Sequence, residues 1–166
     1  MTGSRAPRVE ALGPHSSDGR DAHGPETPPL IIIHSLEQAV AALSAAAAAG
    51  RAVTLASPPD AGIYAGPGWF REVVHAAREA VPDAPFTAIL DCGADAGAAM
   101  AAIRAGVEAI VFTGRTDVAA RLADIAAHTG AKLLTERPAA LLDLGAAFLA
   151  AGEAWRRRCL DLLGNT

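Results

Sequence analysis

Between Pro85 and Arg115 the chain reads PFTAILDCGADAGAAMAAIRAGVEAIVFTGR: an apolar run, an alanine-rich stretch with helical spacing, and a second apolar run. Each apolar run has the length of a strand, and Gly106 stops the helix between them. Two strands joined through such a crossover lie parallel, because an antiparallel pair needs only a tight turn. A right-handed crossover then buries the strands on both faces. The block constrains the fold to the α/β class far more tightly than it constrains any reaction.

The same rhythm continues on both sides. Leu30–Ile33 is a β-branched strand signal after Pro28 and Pro29, and Ser35 caps a helix from Leu36 to about Ala49. Gln38 stands at the third position of a capping box, and Gly50 ends the helix. Ala52–Ala56 forms a second strand, and the glycine-rich connection from Asp60 to Gly68 leads into a helix over Trp69–Ala80. Phe86–Leu90, Ala109–Thr113 and Lys132–Thr135 are the next strands, with helices over Asp95–Ala105 and Asp117–His128 between them. The stretch from Ala139 to Leu163 reads as helical, with a break at Gly145 or Gly152. The expected fold is therefore α/β, a mostly parallel five-stranded sheet in an open three-layer sandwich or incomplete barrel, with a long C-terminal helical segment. Residues 1–29, rich in Gly, Pro and Ser and without periodicity, are expected to be a flexible leader, and residues 30–166 a single α/β domain.

At 166 residues the chain fits one domain and is short for a closed eight-stranded barrel of about 250 residues. The apolar fraction of 51% argues against global disorder, while only 4% is aromatic, so the core has to be built from aliphatic side chains and alanine. A net charge of -4 gives no broad case for nucleic acid or an anionic membrane as partner. Arg156, Arg157 and Arg158 form one basic run near the end, suited to the C-terminal part of a helix. Cys92 and Cys159 have neither redox nor metal spacing, which predicts free thiols in a reducing compartment. No signal core is visible, and Leu30–Ile33 is too short to cross a bilayer, so a cytoplasmic location is expected. The histidines show no ligand spacing; no metal site is expected, and no motif names a cofactor.

Polar residues gather after the strands, where parallel α/β domains keep their ligand sites. In Asp91-Cys92-Gly93-Ala94-Asp95, Asp91 can act as a base or accept a ligand hydroxyl, Gly93 permits a tight turn, and Asp95 can cap the next helix. Two neighbouring carboxylates oppose a thiolate at Cys92, which reads as a buried, unreactive thiol. Thr113, Gly114, Arg115 and Thr116 hold the equivalent place after the fourth strand, where Gly114 admits an anion to the backbone, Arg115 is a fixed cation and Thr116 offers a hydroxyl beside a helix start, together an anion clamp. His34 is a second candidate for proton transfer, because imidazole is the side-chain type best suited to acid and base roles in neutral water. Ser57, Tyr64 on the long connection, and Glu136 beside Arg137 complete the expected rim.

From Val53 to Gly114 a strand, a helix ending in VPDA, another strand and then AAIRAGVEAIVFTG follow one another. This succession resembles part of the phosphosugar-binding barrel superfamily, including the ketodeoxyphosphogluconate aldolase group. The resemblance implies phosphosugar or carbonyl chemistry at the strand ends, and that group forms a Schiff base on a strand-end lysine. The single lysine here, Lys132, opens the fifth strand instead, so no aldolase role is carried onto it.

Three functions fit these residues. The first is a small-molecule-binding domain for an anionic or hydroxylated ligand at the C-terminal ends of the strands. The second is a phosphosugar or carbonyl-metabolising enzyme that uses Asp91 or His34 for proton transfer and Arg115 for anion stabilisation. The third is an assembly protein in which the terminal segment joins another chain, with homo-oligomers expected because an open sheet edge needs protection.

Overall fold

A computed structural model describes residues 27–147 and 152–164; most of the leader expected over residues 1–29 lies outside them. Six strands, β1 (Leu30–Ile32), β2 (Val53–Ala56), β3 (Phe86–Asp91), β4 (Ala109–Val111), β5 (Lys132–Leu134) and β6 (Leu142–Asp143), form one sheet in the order β5-β4-β3-β2-β1-β6. Every pairing is parallel. Between them lie α1 (Leu36–Ala49), the short α2 (Ala61–Tyr64), α3 (Gly66–Ala80), α4 (Ala96–Arg104) and α5 (Thr116–Thr129), with α6 (Gly152–Gly164) after β6. The sheet is open, all parallel, and followed by a C-terminal helix.

Side chains alternate across a strand, so their partners reveal which face is covered. Ile31, Ile33, Val53 and Leu55 pack with α1, α3 and α6, while Ala88, Leu90, Ile110 and Phe112 pack with α2 to α5. The opposite positions, Leu30, Ala56, Ile89 and Val111, meet one another and Ile32, Ala109 and Leu134, without a helix residue among them. Helices thus line one face only. With strands in sequential order, this is the wall of an incomplete barrel and not a sandwich with helices on both sides.

Local signals account for the helices. Ser35 Oγ accepts the Gln38 amide at 3.3 Å, and Gly50 closes α1 in the left-handed conformation at φ 64°. Asp95 Oδ1 accepts the Ala98 amide at 2.7 Å to cap α4, and Gly130 ends α5 at φ 76°. Gln38 departs from the capping-box expectation. Its Oε1 accepts the His34 amide at 2.7 Å and its Nε2 donates to the Leu144 carbonyl at 3.2 Å, so this fully buried amide ties α1 to the segment after β6. Eight alanines make α1 thin enough to lie close to both the sheet and α6.

The stretch read as helical from Ala139 contains β6 and a single 3-10 turn over Leu144–Ala147 before α6 begins at Gly152. Its LLDL run satisfies helical spacing and strand alternation equally. Tertiary pairing decides, because β1 would otherwise leave its backbone unpaired on that side, and Leu142 and Asp143 lie beside Ile31 and Ile32.

The residues linking β5 to β6, 135–141, contain no helix, although these strands stand at opposite edges of the sheet. This strap crosses the helix-free inner face. Pro138 faces Leu30, Ile32, Ala56, Ile89 and Val111 across a small shared cavity, and the Leu141 amide donates to the Leu30 carbonyl at 2.8 Å. Five strand spacings of about 4.8 Å would separate β5 from β6 by about 24 Å in a flat sheet, close to what an extended strap can span. The strap is thus long enough to join the two outermost strands across the inner face.

The closing helix is packed rather than appended. Trp155, Cys159 and Leu163 are buried with the alanines of α1, and Arg51 Nη1 donates to the Leu163 carbonyl at 2.9 Å. Leu163→Ala is expected to cost about 2–4 kcal/mol in urea denaturation, as for other buried leucines. A loss below about 0.5 kcal/mol would show that α6 does not share the core.

Candidate functional site

The rim is organised by Asp91, the last residue of β3. Strand alternation points its side chain to the inner face, like Ile89, and its amide donates to Ser57 Oγ at 2.9 Å. Ser57 Oγ in turn donates to the Pro58 carbonyl at 3.1 Å, so this buried serine bridges the ends of β2 and β3. Asp91 Oδ1 accepts the amides of Asp60 at 3.0 Å and Gly93 at 2.8 Å. The Arg137 guanidinium comes down from the strap, with Nε donating to Asp91 Oδ2 at 2.6 Å and Nη2 to Oδ1 at 3.2 Å. Four donors therefore occupy a carboxylate that has about four lone-pair directions.

Arg137 Nη2 also donates to Asp60 Oδ1 at 2.7 Å. One arginine thus joins two carboxylates, one buried and one exposed. Its pKa is raised above the ordinary arginine value by the hydrogen bond it donates to Asp91, with the charges of Asp91 and Asp60 adding to it and burial opposing. Asp60 holds a left-handed backbone at φ 62°, a conformation that aspartate visits more readily than most residues. Gly93, at φ 54°, lies so close that a Cβ there would run into Asp60 Oδ1. Glycine at 93 is what lets Asp60 reach the arginine.

Tyr64 projects from α2 and is exposed, yet its phenol is raised above its usual pKa, first by partial burial and then by the charges of Asp60 and Asp91. Tyr64, Asp60, Asp91 and Arg137 thus share one electrostatic neighbourhood. The cavity that Ser57, Pro59, Asp91, Arg137 and Pro138 line beneath them is only about 40 Å³. That admits a water molecule or so.

His34 makes a separate pair at the β1 and β6 ends. Its Nε2 lies 2.7 Å from Asp143 Oδ1, which also accepts the Gly145 amide at 2.8 Å. A Cβ at position 145 would strike the imidazole, so glycine gives the ring its seat. Asp95 serves as the α4 cap described above. The exposed Thr113 ties loops together through its amide, which donates to the Gly93 carbonyl at 2.8 Å. Gly114 packs on the Phe112 ring, and Arg115 is spread in solvent with both arms on Asp117 at 3.0 and 2.9 Å. Glu136 is exposed on the strap.

Ser57, Asp91 and Tyr64 are thus brought together. His34 stands with Asp143, while Asp95, Thr113, Gly114, Arg115 and Glu136 remain outside the Asp91 cluster. Asp60, Arg137 and Asp143 were missing from the sequence-derived site. Arg137 was in view as a neighbour of Glu136, but only the strap's path across the inner face puts it on Asp91. Among the described residues no group of three or more His, Cys, Asp or Glu side chains is arranged to hold a metal, and no helix is long and apolar enough to cross a membrane.

Both cysteines are free and buried. Burial, then the charges of Asp91 and Asp95, pushes the Cys92 thiol up to about 12, and burial raises Cys159 to about 11. Neither is a nucleophile near neutral pH.

No protein-family model matches this chain, and no curated protein matches its sequence. Solved structures do share its fold. A protein from Coccidioides immitis assigned as a fructose-1,6-biphosphate aldolase superposes with a TM-score of 0.54 at 21% identity, over 64% of this chain and 39% of that one. A protein from Sinorhizobium meliloti 1021 assigned as a tagatose 6 phosphate kinase gives a TM-score of 0.49 at 17% identity, over 82% of this chain and 45% of that one. The chain therefore spans less than half the length of either. At these identities the likeness to the first extends to the barrel-like fold, and the looser likeness to the second carries no argument.

Tyr64 is the chain's single tyrosine, so ultraviolet titration of the phenolate reads it alone. Its midpoint is expected above the ordinary value of about 10 and should fall part-way back in Asp60→Asn. An unchanged midpoint would remove Asp60 from its surroundings. The thiols give a second test. An unfolded thiol ionises near pH 9 whereas the folded ones stay protonated, so their contribution is whole below about pH 9 and is lost as pH rises toward 11–12. Urea midpoints should drop between about pH 8 and about pH 10.5, less so in the Cys92→Ala/Cys159→Ala double variant. An equal drop in both proteins would contradict the assignment.

Proposed function

We propose that this chain is a small-molecule-binding α/β domain whose ligand docks at the C-terminal ends of the strands, on Arg137, Asp60 and Tyr64. Of the anionic and hydroxylated classes, the hydroxylated one fits better. The observation that carries this reading is a donor and an acceptor left open side by side. Arg137 is fixed through Nε and Nη2 and is 43% exposed, and its Nη1 has no partner among the described residues. Asp60 engages the arginine through Oδ1, leaving Oδ2 open in the same way. A hydroxyl group both donates and accepts, so a diol can take both positions at once. Two carboxylates outweigh one guanidinium, which disfavours a phosphate there. The exposed Tyr64 ring supplies an apolar face for a sugar-like ring.

Asp91 in this reading is a positioning residue that holds Arg137. Titration of the protein with a panel of pentoses and polyols, followed by amide chemical shifts, should move Gly93 and Ala61. Arg137→Gln or Asp60→Ala should weaken binding about tenfold or more, the worth of one hydrogen bond to a charged group. Binding of inorganic phosphate in preference to every polyol, or unchanged binding in both variants, would overturn the proposal.

A second reading, an enzyme of sugar or carbonyl metabolism, is favoured by the His34–Asp143 pair at 2.7 Å. A carboxylate that orients an imidazole suits it to proton transfer. His34 Nδ1 has no partner among the described residues, and Arg137 rather than Arg115 stands beside Asp91 as the nearby cation. The name of the C. immitis protein points to a sugar phosphate as well. If this reading holds, deuterium exchange at the α-carbon of ketoses or ketose phosphates should be catalysed, and His34→Gln should slow it about a hundredfold without lowering the melting temperature. Absence of exchange across the panel would reject it.

A further inference from the structure

We infer that the inner face of the sheet holds a second site, at the end of the strands opposite the rim, for a small amphiphile with a carboxylate head. Beneath the strap, the side chains that alternate inward leave a cavity of about 760 Å³, within the range of about 300–1,000 Å³ typical of small-molecule sites. It is separated from the rim by Leu30, Ile89 and Pro138, which belong to the walls of both spaces. The two sites are distinct ends of one interrupted lumen.

The lining is mainly apolar. Leu30, Ile89, Ala109 and Leu134 come from the sheet, and Pro138 to Leu141 from the strap. Two observations point to a polar-headed occupant rather than a simple packing defect. Lys132 lines the cavity at its open mouth, exposed at the start of β5 beside Ala109, and it has no ion-pair partner among the described residues. The other charged residue of the lining, Glu108, lies 3.8 Å from Arg78, whose guanidinium also sits 4.9 Å from the centre of the Phe86 ring. Glu108 is thereby compensated, and the mouth carries the uncompensated charge of Lys132. That charge selects an anionic head.

Thr54 and Thr87 supply the second feature. Their hydroxyls lie 3.1 Å apart across β2 and β3, in the wall of the same cavity. One hydrogen serves that bond and the other remains for a ligand oxygen. An apolar body lying along Leu30, Ile89, Leu134 and Leu141 with its carboxylate at Lys132 matches this distribution. Apolar burial would supply most of the affinity and Lys132 the selectivity.

The test uses the full chain and a dansyl-labelled undecanoic acid as probe, displaced by dodecanoate or by dodecanol. Saturable binding is expected, with dodecanoate displacing the probe at about tenfold lower concentration than dodecanol. Lys132→Met should abolish that preference while retaining the dodecanol affinity. Ala139→Trp, placed on the exposed strap, should fill the cavity and suppress both, and Asp60→Asn at the rim should change neither. Each variant is checked by circular dichroism and melting temperature. The inference is overturned by absence of saturable binding, by equal displacement by acid and alcohol, or by a preference that survives Lys132→Met. It is also overturned if the probe binds only after removal of residues 1–26, since the occupant would then be the chain itself.

Discussion

The hydrogen-bonded pair between Asp91 and Arg137 ties together parts of the molecule that the sheet alone leaves apart. Asp91 ends a central strand, whereas Arg137 belongs to a strap joining the two outermost strands. Breaking such a pair leaves a carboxylate out of water without its counter-charge, and that penalty exceeds the modest net gain of making the pair. The arginine must therefore be delivered to one place, and the path of residues 135–141 is set by that delivery. Ser57, Asp60 and Gly93 are then positioned around the same carboxylate by bonds to its backbone and side-chain atoms.

The strap also explains how so short a chain keeps a barrel-like wall without closing it. Further strands and helices between β5 and β6 would complete a ring. Here an extended segment crosses the inside instead, covers part of the apolar inner face and returns the chain beside β1. Polar chemistry is left at one end of the lumen and an apolar space at the other.

Much of this architecture was legible in the residues. The strand from Phe86, the Asp95 cap, the Gly50 and Gly130 stops and a mostly parallel sheet follow from local periodicity and turn chemistry, which depend on neighbours in the chain. β6 did not follow, because LLDL suits either secondary structure and only pairing with β1 selects the strand. The rim was half visible. Asp91 and Ser57 announce themselves by standing at strand ends and Tyr64 by lying on the long connection, but Arg137 acquires its role from a crossing of the inner face that no local pattern encodes. Arg115, equally well placed by sequence, finds Asp117 two residues away and is held there by geometry available within its own loop.

The central claim is that Arg137 is coupled to Asp91 and, through it, anchors the strap. A double-mutant cycle in urea denaturation with Asp91→Asn, Arg137→Met and the pair together measures that coupling directly. With Arg137 43% exposed, the interaction is screened below that of a fully buried pair, and a coupling energy of about 1–3 kcal/mol is expected. Additive single effects, with a coupling energy near zero, would contradict the account.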